Sequence, residues 1–323
     1  MSGLALALVA LAGGLVVLVL SADRFVIAAA GLSRALGVPP LLVGILVVGF
    51  GTSAPEITVS VLAALDGAPA LALGNAWGSN VANIGLILGI TALIAPIMVA
   101  SEAVRREIPL LVGATALTVA LSWNLHLGRI EGSLLALALL LTIGWQVASS
   151  MGQVDAIAEE LPPGTEAMSA TRAGLLTVLW LVVLVLASRA LVWGAVGVAR
   201  SIGLSELVIG LTVVAVGTSL PELASSIGAA RRGAHDLAFG NIVGSNLFNT
   251  LAVVGIATVV QPFDLPPEAF SRDLVVMVAF TIVLTIVALP LIRGRPARIN
   301  RWEGSVLLAG FVAYTAWLVA SAI

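Results

Sequence analysis

Long apolar runs alternate with short polar segments along the whole chain. Ten such runs lie near residues 3–20, 38–65, 70–95, 108–123, 131–149, 173–190, 205–230, 236–260, 273–292 and 303–322. A run of roughly 18 residues or more can cross a hydrocarbon core of about 30 Å as an α-helix. None shows the period-two alternation of a transmembrane β-barrel strand. The pattern therefore predicts an all-α polytopic membrane protein with ten transmembrane helices. No basic residue precedes the first run and no small-residue cleavage pattern follows it, so it reads as a retained helix rather than a signal peptide. The longest polar stretch holds Asp155, Glu159, Glu160, Pro162, Pro163, Gly164 and Glu166. It reads as a solvated hinge, and divides the chain into a first half (1–150), an acidic linker (151–172) and a second half (173–323).

Within the apolar runs the polar residues repeat. Gly51-Thr52-Ser53-Ala54-Pro55-Glu56 has a near copy in Gly217-Thr218-Ser219-Leu220-Pro221-Glu222, and Gly78-Ser79-Asn80-Val81-Ala82-Asn83 has one in Gly244-Ser245-Asn246-Leu247-Phe248-Asn249, each at an offset of 166 residues. Gly37 and Gly203, Gly44 and Gly210, Gly74-Asn75 and Gly240-Asn241, and Arg106 and Arg272 share that offset. Arg129-Ile130-Glu131-Gly132-Ser133 and Arg301-Trp302-Glu303-Gly304-Ser305 match at 172. Each repeat thus spans five helices. Because five is odd, the second repeat must enter the membrane from the opposite side, which predicts an inverted repeat. The odd-numbered loops carry eleven arginines, and the other side has only Arg129, Arg189, Arg200 and Arg272. The positive-inside rule then puts both termini outside and the linker in the cytoplasm, in a cytoplasmic (inner) membrane.

Composition narrows the chemistry. Of 323 residues 60% are hydrophobic and 10% charged, with a mean hydropathy of +1.14, against about 25% charged in a soluble domain. There is no cysteine, which excludes a disulfide framework and a thiolate metal site. A net charge of −2 carries no signature of nucleic acid; the lipid bilayer is the expected partner.

Glu56 and Glu222 fall well inside the second and seventh runs. A carboxylate at mid-membrane costs about 2.5–3.5 kcal/mol on insertion scales and is retained for a partner or a function. No arginine lies inside either run, so a cation from solution is the simplest partner. Pro55 and Pro221 break the helix and free carbonyls upstream, and unwound backbone at this depth is tolerated where it lines a cavity. Thr52, Ser53, Thr218, Ser219, Ser79 and Ser245 add hydroxyl oxygens, and Asn83 and Asn249 amide oxygens. An all-oxygen set with two carboxylates suits hard cations such as Ca²⁺ or Na⁺. His126 and His235 are expected in loops, as are Asp23, Asp66 and Glu102, the acids as solvated groups. Asn80 and Asn246 divide evenly between lining the site and packing. Gly74, Gly78, Gly240 and Gly244, spaced as GxxxG, read as points of close helix approach. Neither a nucleophile–base pair nor a histidine cluster lies in the runs, so an enzyme is not expected.

These paired motifs resemble the two alpha-repeats of the calcium/cation antiporter superfamily, specifically the prokaryotic sodium/calcium exchangers, and the resemblance covers all ten helices. It implies Ca²⁺/Na⁺ exchange by alternating access, with the ions between the second, third, seventh and eighth helices and the first and sixth helices sliding. The implied ligands are Thr52, Ser53, Glu56, Ser79 and Asn83 in the first repeat, Thr218, Ser219, Glu222, Ser245 and Asn249 in the second, and the backbone carbonyls of Gly49 and Ala215. Many members carry Asp where this chain has Asn249. Two carboxylates balance one Ca²⁺, two Na⁺ or two H⁺, so an H⁺/Ca²⁺ exchanger is the alternative and a cation channel a more distant one. No cofactor is expected, Ca²⁺ and Na⁺ are the substrates, and the working unit is expected to be a monomer.

Overall fold

The computed structural model describes residues 3–67, 69–150, 168–201, 215–289 and 297–322. Most of the acidic linker, the early part of the seventh run, Gly203 and Gly210 lie outside the described residues.

Helix α1 (Gly3–Leu36) is followed by a bent pair, α2 (Pro40–Thr52) and α3 (Ala54–Leu65), inclined at 45°. Helix α4 starts at Pro69 and runs through a π-helical turn, Asn83–Leu88, to Ile94. After strand β1 (Ile97–Val99), α5 enters through a π-helical turn, Ala103–Glu107, and continues over Ile108–Leu121. Strand β2 (His126–Leu127) and α6 (Arg129–Ser150) close the first half. The second half has α7 (Ala170–Ser201), the short α8 (Ala215–Thr218), α9 (Leu220–Arg231) and α10 (His235–Val260), the last with a π-helical turn at Phe248–Val253. It ends with β3 (Phe263–Asp264), α11 (Ala269–Ala288), β4 (Ala297–Ile299) and α12 (Arg301–Ala322). Among the described residues seven helices are long and apolar enough to cross a membrane, or eight if α2 and α3 form one broken span. The chain is a helical polytopic membrane protein.

Burial sorts these helices into layers. The apolar stretch of α10 is 89% buried and that of α4 72%, whereas those of α1, α6, α7, α11 and α12 are only 11–22% buried. The first two are the interior and the others present apolar faces outward, as lipid requires. Small residues make the interior close: a Cβ on Gly240 would lie 2.7 Å from the Leu41 carbonyl oxygen, and one on Gly244 2.6 Å from that of Ile45. Helices α2 and α10 therefore cross backbone to backbone. Among the described residues nothing lies within 4 Å of a Cβ on Gly74 or Gly78 of α4, and the segment that matches α2 at the repeat offset is outside them, so close approach is seen for the Gly240–Gly244 pair.

Contacts come in matched pairs. Arg301 donates from Nε to the Leu93 carbonyl at 3.1 Å, and Arg129 to that of Val259 at 3.4 Å. A Cβ on Gly89 would meet the Gly304 carbonyl, and one on Gly255 that of Gly132. Strand β1 pairs antiparallel with β4, and β2 with β3. Each contact joins the end of an interior helix in one half to the start of the last helix in the other.

Several charged residues differ from expectation. Helix α1 continues past residue 20, because Asp23 and Arg24 end the apolar run without ending the helix. Asp23 is not a solvated loop acid: it receives two hydrogen bonds from the Arg232 guanidinium, that from Nε at 2.5 Å. Arg24 lies 6.0 Å from the Trp180 ring centroid on α7, at the outer limit of a cation–π contact. Glu102 is helical and pairs with Arg106 at 2.6 Å. His235 is the first residue of α10 rather than a loop residue, and His126 lies in β2, bonded to Asp264 at 2.7 Å.

Candidate cation site

The two hexamers form the same local structure. In each a helix stops at a serine, Ser53 (φ −81°, ψ 0°) or Ser219 (φ −91°, ψ 8°), and a new helix starts with proline in its first turn. Proline at that position loses no hydrogen bond, because the first amides of a helix have no intrahelical acceptor. The break therefore falls two residues before each proline, and Glu56 and Glu222 sit in the first turn of α3 and α9. There the positive end of the helix dipole favours a carboxylate.

Both glutamates are buried, 1% and 2% exposed, and Thr52, Ser53, Ser79, Asn83, Ser219, Ser245 and Asn249 are buried with them. Thr218 is partly buried, and Ala215 opens α8. Contacts cross between the halves. The Ser53 hydroxyl lies 3.5 Å from Glu222 Oε1, and the Ser245 hydroxyl donates to the Gly49 carbonyl at 3.4 Å. Thr52 Oγ1 is 3.1 Å from Asn241 Oδ1. The Gly49 carbonyl also accepts from the Ser53 amide at 3.1 Å.

Two asparagines that sequence reasoning recognised only as repeat matches hold this geometry. Asn75 Nδ2 donates to the Glu56 carbonyl at 3.1 Å and to Ser60 Oγ at 2.8 Å. Asn241 Nδ2 donates to the Glu222 carbonyl at 3.2 Å, Ser225 Oγ at 3.0 Å and Ser226 Oγ at 2.7 Å. Each pins the backbone of the glutamate on the neighbouring half-helix. The signal was present: Ser60 and Ser226, like the asparagines, are 166 residues apart. Asn80, left between lining and packing, donates to Thr250 Oγ1 at 2.7 Å, while Asn246 donates to its own helix at the Ile242 carbonyl.

The amide donors of Asn75, Asn80, Asn241 and Asn246 are thus spent, that of Asn83 is unpartnered, and several acceptors have no partner either. Glu56 Oε2, Glu222 Oε2, Asn83 Oδ1, Asn249 Oδ1, Asn80 Oδ1, Asn246 Oδ1 and Ser219 Oγ are all buried without a hydrogen bond. A buried polar atom left unpaired costs about 1–3 kcal/mol, more if charged. So many buried orphan oxygens, one from each carboxylate among them, fit a hard cation, which is satisfied by oxygen alone. Among the described residues no group of three or more His, Cys, Asp or Glu could hold a metal ion, so the arrangement is poor in charge and rich in neutral oxygen.

The profile of the sodium/calcium exchanger protein family matches residues 6–148 and 173–320. The chain is 44% identical over 314 residues to the putative antiporter CaxA of Alkalimonas amylolytica, covering 95% of this chain and 97% of that protein. It is 38% identical to the inner membrane protein YrbG of Escherichia coli, with 94% of each covered. Among solved structures it is similar to the sodium-calcium exchanger NCX_Mj soaked with Na⁺ and Ca²⁺, at a TM-score of 0.82 and 27% identity over 96% of this chain and 98% of that one. A helical polytopic fold shared end to end with that exchanger, and a family profile spanning both halves, make this chain a member of the sodium/calcium exchanger protein family, a family of membrane transporters and not of enzymes.

Proposed function

We propose that the protein is an antiporter that exchanges Ca²⁺ for Na⁺ by alternating access across the cytoplasmic membrane. The observation that carries this reading is the set of buried, unpaired oxygens on the duplicated motifs, with a carboxylate oxygen at each helix break among them. Glu56 and Glu222 bind Ca²⁺ in one loading state and Na⁺ in the other. Thr52, Ser53, Ser79 and Asn83, with Thr218, Ser219, Ser245 and Asn249, complete the oxygen shell together with the carbonyls of Gly49 and Ala215. Two charged carboxylates cannot remain empty in a dry site, so only ion-loaded forms change access, and two binding equilibria become obligatory exchange.

The architecture proposed is ten spans in two inverted five-helix repeats (1–150 and 173–323), with both termini outside, the 151–172 linker cytoplasmic, and a monomer as the working unit. The contact of Arg129 with Val259 matches that of Arg301 with Leu93, and Gly89 against Gly304 matches Gly255 against Gly132; these pairs support it, as does the placement of arginine. CaxA is described as an antiporter and YrbG as an inner membrane protein, in keeping with this reading.

The test is ⁴⁵Ca²⁺ uptake into Na⁺-loaded proteoliposomes, with and without a membrane potential. Uptake that requires internal Na⁺ supports the reading. Uptake driven by a pH gradient with Na⁺ absent replaces it with H⁺/Ca²⁺ exchange, a second reading favoured by Asn249, which leaves only two carboxylates to balance the coupling ions. Ca²⁺ flux that needs no counter-ion would indicate a channel.

A further inference from the structure

Asp23 and Arg232 join the middle of α1 to the end of α9, where the ion site's second carboxylate helix stops. The repeat offset of 166 residues carries Asp23 onto Arg189 and Asp66 onto Arg232. The counterpart of the acid is thus a base, and the counterpart of the base is an acid: Arg189 is in α7, and Asp66 ends α3. Local geometry agrees, since the next residues, Gly67 and Gly233, have φ of +75° and +76°. The first pair is closed in this structure, with two hydrogen bonds between its members. In the second both residues are exposed and, among the described residues, no ion pair joins them.

We propose that the two pairs are alternating latches, one closing as the other opens when α1 and α7 move against the rest of the bundle. The proposal rests on the inverted-repeat, alternating-access reading above, in which the two halves exchange conformations. Asp23–Arg232 holds the arrangement seen here, and Arg189–Asp66 holds the opposite one.

Packing supports the coupling. Helices α1 and α7 are locked together by glycine: a Cβ on Gly14 would lie 2.8 Å from the Leu191 backbone, and one on Gly194 2.5 Å from the Ala7 carbonyl. They must therefore move as one body, so a shift that separates Asp23 from Arg232 also moves Arg189. The same body lies against both helix breaks, since Gly51 faces Leu181 and Gly217 faces Val192, both on α7. One turn before the closed latch, Gly228 lies against Ala22 and Val26 of α1. Its counterpart before Asp66 is Leu62, which is 54% exposed, so that face of α3 is uncovered. An arginine inside an apolar helix is costly without a counter-charge, and an Asp66 that comes within reach in the other state supplies one.

The chain has no cysteine, so introduced pairs report alone. Asp23→Cys with Arg232→Cys, and Asp66→Cys with Arg189→Cys, would be treated in proteoliposomes with a short bifunctional thiol reagent and scored by gel mobility. Both pairs should bridge, each bridge should stop exchange, and reduction should restore it. In the four-cysteine chain one bridge should form per molecule and never both. Neutralising Asp66→Asn in the first double-cysteine chain should favour the present state by about threefold, the scale of a partly exposed ion pair, and raise the bridged fraction accordingly. Failure of the 66/189 pair to bridge in Na⁺, in Ca²⁺ or without either would overturn the proposal, as would both bridges in one molecule. So would an unchanged bridged fraction in the Asp66→Asn chain, which would leave Arg189 reaching only for lipid headgroups. Absence of Ca²⁺ exchange in the wild type would instead count against the functional reading, because bridging is measured without flux.

Discussion

Gly240 and Gly244 on α10 occupy the same sequence context as Gly74 and Gly78 on α4, yet the first two are pressed against the α2 backbone while the second two meet nothing within 4 Å among the described residues. The asparagines beside them differ likewise. Asn241 reaches Glu222, Ser225, Ser226 and, across the halves, Thr52, whereas the Asn75 amide nitrogen reaches Glu56 and Ser60. Matching local sequence has produced matching breaks and matching glutamates, but unequal surroundings. An unequal pair of halves is what the proposed alternating-access reading expects of any one state.

The two glutamates should resist any such inequality. Glu56→Gln and Glu222→Gln should each abolish exchange, by about a hundredfold or more in the ⁴⁵Ca²⁺ assay, while the protein still elutes as a folded species. A variant that exchanged at the wild-type rate would remove that carboxylate from the site. Next in size is the glycine contrast. Gly244→Ala forces a Cβ into the α2 backbone and should destabilise by about 1–3 kcal/mol, the usual cost of overpacking. Gly78→Ala meets nothing within 4 Å among the described residues and should leave the melting temperature nearly unchanged. Equal shifts in thermal denaturation would contradict the packing difference.

A smaller effect is expected from the asparagines. Asn241→Ala removes the clamp on Glu222 and should weaken apparent Ca²⁺ affinity by about tenfold, the scale of one lost buried hydrogen bond to a binding group. Asn75→Ala should weaken it less, and isothermal titration of both variants checks the order. Smallest in binding but informative in mechanism is Asn249→Asp, which adds a third negative charge. It should make the Na⁺ dependence of Ca²⁺ uptake steeper; an identical Na⁺ dependence would place residue 249 outside the coupling.

The sequence made legible whatever depends on local pattern. The apolar runs, the duplicated hexamers and the burial of Thr52, Ser53, Glu56, Ser79 and Asn83, and of Ser219, Glu222, Ser245 and Asn249 in the second half, all follow from spacing and from the cost of polar groups in lipid. Features that depend on distant partners were not legible. Asp23 read as a loop acid because its partner, Arg232, is 209 residues away, so α1 was expected to stop too soon. The helix breaks fall at Ser53 and Ser219, before the prolines, because proline is comfortable in a first turn. No single-sequence pattern distinguishes Gly74 from Gly240, since their difference is one of assembly and not of residue type.

The four short strands carry a consequence of their own. Strand β1 pairs with β4 and β2 with β3, and beside each pair an arginine, Arg301 or Arg129, fastens to the closing carbonyls of the opposite half. The halves are laced through one another at two separate seams. A hinge that parted them like a clamshell would have to tear both seams at once. Among the described residues α1 and α7 take no part in the lacing, which fits the proposal that they move against the rest of the bundle. Severing the acidic linker should therefore leave a working transporter when both pieces are made together, whereas neither piece alone would keep its frame.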